Sequence, residues 1–549
     1  MAQSDSKRYK SDYPLLHDTG WLDVMLSHQG VDASEFALRF SGRKDWPVRE
    51  IAEQLHCYPR AEVKLGAMHR PGMIYLREAL EQASGYATAT WRARNWVTNG
   101  EKFKRSAVST DDANSGSRLQ ENPDSSSKPD RTFRVADLTG GLGIDTAAFV
   151  LAGAEVAYCE RNPMLTAIAR HNHELLGLDT RICWHTGDSM EWLATRKQGA
   201  IQQNSIQQNS SDPECNRKNS IQQEASQEKA SQPRGSHSVD SHSETLKLDL
   251  LYIDPSRRSG GRRVHSLQDS EPDITRYLTL FRSAAHRYLI KLSPMMDPVD
   301  AARALEDCIS VTAVSVDGEL KELLADCIPP QDQSSATPRP DPVLRAVMID
   351  TSGNERFRFS SESAEDGSGG QMESSRPSRS PEPQSGTTPN TESQSGTTPN
   401  TESQSGPTPN PGTQPSPACD PPYMLSGSLL FEPDPALYKM RLIDEAVRRY
   451  GLDRIHPEIG YLTGPDAAPE MFPGKVYRIR RTLPFKPRAL RKWLADNGLT
   501  RVHIHQRGFP LTVDQLYSKL GCRMGEEAHL FATLSGDGQK VLIVADRTG

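Results

Sequence analysis

Apolar residues recur along this chain with two different periods, and the change of period divides it. Over residues 15–108 they return every three or four positions, in Trp21-Leu-Asp-Val-Met-Leu26, Glu35-Phe-Ala-Leu-Arg-Phe40 and Val48-Arg-Glu-Ile-Ala-Glu-Gln-Leu55. That spacing lines one face of a helix. Prolines 47, 59 and 71 punctuate this N-terminal helical region, which continues from Glu81-Gln-Ala-Ser84 through Trp91-Arg-Ala-Arg94. From 131 to about 360 the pattern changes to short apolar runs at 133–138, 155–159, 181–185, 248–254, 287–293, 311–316 and 343–350. Helical stretches at 145–152, 163–176, 188–195, 270–285 and 298–308 separate them. Strands joined by such helices imply βαβ crossovers and an α/β fold, with a mostly parallel, doubly wound, seven-stranded sheet over 131–360.

Three stretches carry neither period. Residues 109–130 are rich in Ser, Asp, Asn and Pro and read as a solvated linker. Residues 197–246 repeat Ile-Gln-Gln-Asn-Ser, and 361–422 repeat Thr-Glu-Ser-Gln-Ser-Gly-x-Thr-Pro-Asn. Such compositions bury too little apolar surface to offset chain entropy, so both are predicted to be disordered, the first within a helix-to-strand connection away from the strand tips. Beyond them, 423–473 reads as a small α+β module: a strand at Leu429-Leu-Phe-Glu-Pro433, one helix from Pro435 to Tyr450, and Arg454-Ile-His-Pro-Glu-Ile-Gly460. The last segment, 474–549, reads strand (475–483), helix (486–497), strand (501–506), helix (512–520) and two strands (528–534, 540–545).

Charge alters the picture only locally. The net charge of −6 sits entirely in 360–422, with eight acids and two bases, so the rest of the chain is balanced. Between 475 and 507 there are ten Lys or Arg and one acid, a stretch suited to phosphates. The eight cysteines are scattered without a CxxC pair, which suggests neither a zinc site nor a disulfide framework. No segment approaches 18 apolar residues and the N-terminus has no apolar leader, so a soluble cytoplasmic protein with no membrane partner is expected. Nothing in the sequence speaks to the oligomeric state.

The candidate chemistry gathers at strand ends. Asp137-Leu-Thr-Gly140-Gly141-Leu-Gly143 closes the first strand, and such a glycine turn lets backbone amides approach a ligand at a helix N-terminus. The dinucleotide pattern GxGxxG fails, because Thr146 occupies the third glycine position. Asp137 separates two cofactors: its carboxylate suits the ammonium of a sulfonium cofactor and repels a pyrophosphate. S-adenosylmethionine is therefore preferred to NAD. Glu160, at the next strand tip, is placed for ribose hydroxyls. Asp188, at the third, could accept from an adenine amino group or could simply cap the helix after it. Asp254-Pro-Ser-Arg257-Arg258 ends the fourth strand, where a methyl acceptor would sit; Asp254 would fix or deprotonate it and the arginines would hold phosphates. Lys291 ends an otherwise apolar strand, where a lysine must snorkel or find a partner, and it is a catalytic candidate beside Asp254 and Arg257.

These residues carry a resemblance. Asp137-Leu-Thr-Gly-Gly-Leu-Gly143, Asp254-Pro-Ser-Arg-Arg258 and Lys291-Leu-Ser-Pro294, with Glu81-Gln82 and the Glu432-Pro433 to His456-Pro457 segment, resemble a bacterial family of class I S-adenosylmethionine-dependent methyltransferases with a C-terminal THUMP-like domain and a small ferredoxin-like module. The resemblance implies a Rossmann-like methyltransferase domain and a module related to RNA-binding domains. It further implies Asp137, Gly140, Gly141 and Gly143 at the methionine part of the cofactor, Glu160 at the ribose, Asp188 at the adenine, and Asp254 beside the transferred methyl. Ser256 and Arg257 stand where base-amine methyltransferases carry Pro and an aromatic, and arginine can also stack on a base. Residues 289–297 contain no cysteine, which disfavours uracil C5 chemistry. The function expected is direct in-line methyl transfer, with RNA as the acceptor and no metal. An inactive RNA-binding protein, a methyltransferase of another substrate and an NAD-dependent oxidoreductase are the alternatives.

Overall fold

The computed structural model describes residues 13–17, 19–99, 132–196, 247–255, 258–259, 262–263, 267–330, 340–362, 427–467 and 469–548. The linker at 109–130, the repeats at 197–246, nearly all of 361–422, and Ser256-Arg257 lie outside the described residues.

The N-terminal region is helical, with α1 (Gly20–Ser27), α2 (Ala33–Arg39), α3 (Val48–Leu65), α4 (Arg77–Gln82) and α5 (Tyr86–Ala93). Asp32 starts α2 by accepting from the amides of Ser34 and Glu35. Pro59, expected to separate elements, lies inside α3. A proline there removes a backbone hydrogen bond at a cost of roughly 3 kcal/mol. The stripe Ile51, Leu55, Tyr58, Ala61 and Leu65 buries enough apolar surface on both sides to hold the helix through it.

Behind these helices stands a nine-stranded sheet: β1 (Arg134–Asp137), β2 (Glu155–Glu160), β3 (Ile182–Thr186), β4 (Leu250–Ile253), β5 (Tyr288–Leu292), β6 (Cys308–Val316), β7 (Glu319–Cys327), β8 (Val343–Ile349) and β9 (Glu355–Ser360). The order across the sheet is β3-β2-β1-β4-β5-β7-β6-β8-β9. All seven expected strands are present. The two added ones, β7 and β9, run antiparallel to their neighbours. Helices α6 (Ile144–Leu151), α7 (Pro163–Leu176), α8 (Leu278–Ala284) and α9 (Pro298–Ala304) connect the strands. The N-terminal helices share one core with this sheet, where Ile74, Trp91 and Val97 meet Val135, Phe149 and Tyr252. Asn172 of α7 locks the two together by pairing with both the amide and the carbonyl of Ile74, each at 2.9 Å.

A second sheet joins β10 (Leu429–Pro433), β11 (Asp453–His456), β12 (Ile459–Gly464), β13 (Gly474–Pro484), β14 (Arg501–Gln506), β15 (Arg523–Leu534) and β16 (Lys540–Arg547), in the order β11-β12-β10-β13-β16-β15-β14. One sheet therefore spans 423–473 and 474–549, with β13 pairing β10 on one side and β16 on the other. The single helix expected from Pro435 to Tyr450 is two, α10 (Pro435–Lys439) and α11 (Ile443–Tyr450). Arg441 at φ 58° breaks it, and the amide of Leu442 closes back on the carbonyl of Leu437 at 2.9 Å. The break turns Leu437 and Met440 into a core that includes Leu323, Met348 and Phe359 of the first sheet. Helices α12 (Pro487–Asp496) and α13 (Val513–Leu520) cover a separate core under β14 to β16. Among the described residues no helix is long and apolar enough to cross a membrane.

Candidate functional site

The turn leaving β1 is shaped for close approach. Gly141 and Gly143 hold φ of 55° and 77°, the left-handed region that a side chain disfavours. A Cβ on Gly140 would lie 2.1 Å from the Tyr158 ring, and one on Gly143 would lie 2.2 Å from His173. The turn is pinned to β2: the Gly140 amide donates to the Cys159 carbonyl at 2.8 Å, and the Tyr158 hydroxyl donates to the Gly141 carbonyl at 2.7 Å. Glu160 accepts from the Gly141 amide at 3.1 Å and from the Asn162 amide at 2.8 Å. Each of its oxygens keeps a further lone pair at the strand tip. Asp188 takes the capping role that the sequence left open, accepting from the amides of Met190 and Glu191 at 2.8 and 3.0 Å.

Asp137 is buried, accepting from the Thr146 hydroxyl at 2.7 Å and the Thr139 amide at 3.2 Å, and it makes no ion pair among the described residues. Burial first, and then the charge of Asp145, push its carboxyl up to about 7. A buried acid with acidic neighbours and no cation is a site that a positively charged ligand group would satisfy.

The tip of β4 is tied directly to this turn, because the Asp254 amide donates to the Thr139 hydroxyl at 2.7 Å. The Asp254 carboxylate meets Lys291 of β5 at 2.6 Å. Lys291 also donates to the Ser84 hydroxyl at 2.9 Å and lies 3.9 Å from Glu322 of β7. Ser84 and Tyr252 both donate to one oxygen of Asp145, at 2.7 and 3.1 Å. Arg92, fully buried on α5, bonds the other oxygen of Asp145, grips both oxygens of Glu322 at 2.6 and 2.7 Å, and lies 5.0 Å over the Tyr252 ring. Burial opposes the charge of Asp145, but Arg92 and Lys291 outweigh it and hold its carboxyl below the usual range.

The structure thus brings Asp137, Gly140, Gly141, Gly143, Glu160, Asp254 and Lys291 to neighbouring strand tips, with Asp188 just beyond β3. Arg257 lies outside the described residues. Arg92, Asp145 and Tyr252 fell in or beside stretches already singled out but were given no part in the site, and Glu322 fell in none. A lysine and an arginine within apolar segments were the signal available, since each demands a buried acid. A cavity of about 750 Å³ opens beside Asp254 and Lys291, walled by Lys64, Glu81 and Thr88 of the N-terminal region.

The sheet order, with an antiparallel strand inserted between β5 and β6, and the acids at the tips define a methyltransferase-type α/β fold. Residues 474–547 match the THUMP domain-like family. Among solved structures the chain is similar to a candidate methyltransferase from Porphyromonas gingivalis W83, with 22% identity, 96% of this chain and 98% of that chain covered, and a TM-score of 0.60. It also matches a SAM-dependent methyltransferase from Agrobacterium tumefaciens, with 16% identity, 37% and 57% of the chains covered, and a TM-score of 0.23. No curated protein sequence matches it. The chain therefore shares its fold with that candidate methyltransferase and carries a THUMP-like domain at residues 474–547.

Proposed function

We propose that this chain is an S-adenosylmethionine-dependent methyltransferase acting on RNA. The observation that carries the reading is the bond from Asp254 to Thr139, which makes the cofactor-type turn and the acceptor-facing carboxylate one rigid unit. The bound cofactor would supply an electrophilic methyl group. Asp137 would hold its ammonium, the amides around Gly140 to Gly143 its carboxylate, and Glu160 its ribose hydroxyls. Asp188, already capping a helix, retains an oxygen for the adenine amino group. Lys291 fixes one oxygen of Asp254, and the other is left to accept a hydrogen bond from the acceptor nucleophile and to draw off its proton. Alignment of nucleophile and methyl supplies the remaining acceleration. Arg257 would reach the acceptor's phosphates or stack on its base.

RNA as the acceptor rests on the THUMP-like match and on the basic stretch from Lys475 to Arg507. Among the described residues only Arg480 and Arg507 of its ten cations form ion pairs, with Asp546 and Glu432. The others are free to meet phosphates. The test is tritiated methyl transfer to total RNA, protein and small-molecule pools. Label should enter RNA, and D254N should slow transfer roughly a hundredfold while leaving cofactor affinity, measured by titration calorimetry, nearly unchanged. Label confined to protein would overturn RNA as the acceptor, and absence of cofactor binding would overturn the enzyme.

A further inference from the structure

A second cavity, of about 470 Å³, lies between the two sheets. From the first sheet Met348 and Ile349 of β8 and Phe357 of β9 give it an apolar floor, with Arg356, 3.9 Å from Asp350, beside them. The facing wall belongs to the second sheet. There the register sets Glu432 opposite Lys475 and Tyr477 opposite Arg547, so that these side chains share one face by the two-residue period of a strand. Of the cavity's three acids, Asp317 sits at the turn between β6 and β7, and the other two are already engaged. Glu432 receives the Tyr477 hydroxyl at 3.3 Å and stands 3.5 Å from Arg507 and 3.6 Å from His505, while Asp434 caps α10 through the Ala436 amide at 2.8 Å. Lys475 and Arg547 make no ion pair among the described residues, although both line the cavity. Arg507 is held in place between the rings of Tyr438 and Tyr461, at 5.1 and 5.2 Å.

We propose that this cavity binds a phosphate ester, with the phosphate between Lys475 and Arg547 and the organic portion against Phe357 and Met348. These two cations, from adjacent strands and diagonal neighbours within roughly 8 Å, match the span of a phosphate, and Arg356 and Arg507 add positive charge to the same lining. The volume falls in the range that encloses a single nucleotide. On the same wall His503, its imidazole pKa lowered by partial desolvation and then by its His505 neighbour, offers a further hydrogen-bonding group.

The inference deepens the RNA reading of the second sheet, because the ester could be one unit of a polymer or a free nucleotide. The full chain would be titrated by calorimetry with AMP and with adenosine, S-adenosylhomocysteine being present throughout to fill the cofactor turn. AMP should bind and adenosine should not, and K475A/R547A should weaken AMP at least tenfold with thermal melting unchanged. Equal binding of AMP and adenosine, or AMP binding indifferent to the double substitution, would overturn the site. Displacement of AMP by a single-stranded RNA 12-mer identifies the polymer as the source, and AMP binding without displacement identifies the free nucleotide. RNA binding that survives K475A/R547A, together with loss-free AMP binding, removes this site while leaving RNA as the methyl acceptor intact.

Discussion

Asp137 is the residue at which electrostatics and function pull in opposite directions. Its folded-state carboxyl titrates near 7, above its ordinary value near 3.8. An acid raised in this way adds stability below about pH 4 and loses it as pH climbs through 7. The ligand-free protein should therefore weaken across that window, and D137N should reach a higher melting temperature than the parent at pH 8, a gap that closes toward pH 4. A ligand bringing an ammonium reverses the preference, so cofactor affinity should rise from pH 6 to pH 8 in the parent and stay flat in D137N, as titration calorimetry at each pH would show. Arg92 is the opposite case, a cation whose two acidic partners are both buried. Truncating it leaves Asp145 and Glu322 short of a counter-charge, and R92M should cost on the order of 3–5 kcal/mol in chemical denaturation. An unchanged unfolding midpoint would show that the network contributes nothing to stability.

At the scale of elements, the glycine turn works because β2 fills the space its side chains would need. G140A would drive a methyl into the Tyr158 ring, so cofactor affinity should fall at least tenfold; shrinking the partner in G140A/Y158A should restore part of it, a less-than-additive pair in a double-mutant cycle. This turn was legible in the sequence because glycine and an acid at a strand end have few other uses. The seven strands that present continuous apolar runs were legible for the same reason. β7 was not: Glu319-Leu-Lys-Glu-Leu-Leu-Ala-Asp-Cys327 is built from good helix formers, and only pairing between β5 and β6 makes it a strand. With that stretch unassigned, Glu322 stayed hidden, and with it the acid that Arg92 and Lys291 require. The break between α10 and α11 was hidden too, since it depends on what Leu437 and Met440 pack against. Local sequence carries the turn; the ion network needs partners more than 200 residues apart, as Arg92 and Glu322 are.

For the whole molecule, the distribution of cores decides which parts can be removed. The N-terminal helices lend their apolar faces to the first sheet and supply Ser84 and Arg92 to the site, so they are as much part of the first sheet's domain as its own crossovers. Removing residues 1–99 uncovers that sheet face and takes Arg92 away from Asp145 and Glu322. The C-terminal cut is different in kind. The core under β14 to β16 contains nothing before Leu483, while β10 keeps β12 as a partner when β13 is absent. A chain ending at residue 473 should therefore fold and bind S-adenosylmethionine within about threefold of the full chain, whereas a chain starting at residue 100 should show neither a cooperative melt nor cofactor binding. The shortened C-terminal form should also lose most of its affinity for RNA, because the basic stretch from Lys475 to Arg507 leaves with it. Filter binding of RNA across a salt series separates the outcomes: undiminished affinity with an unchanged salt slope would place RNA recognition on the first sheet and its N-terminal helices, and would turn the C-terminal sheet into a structural support.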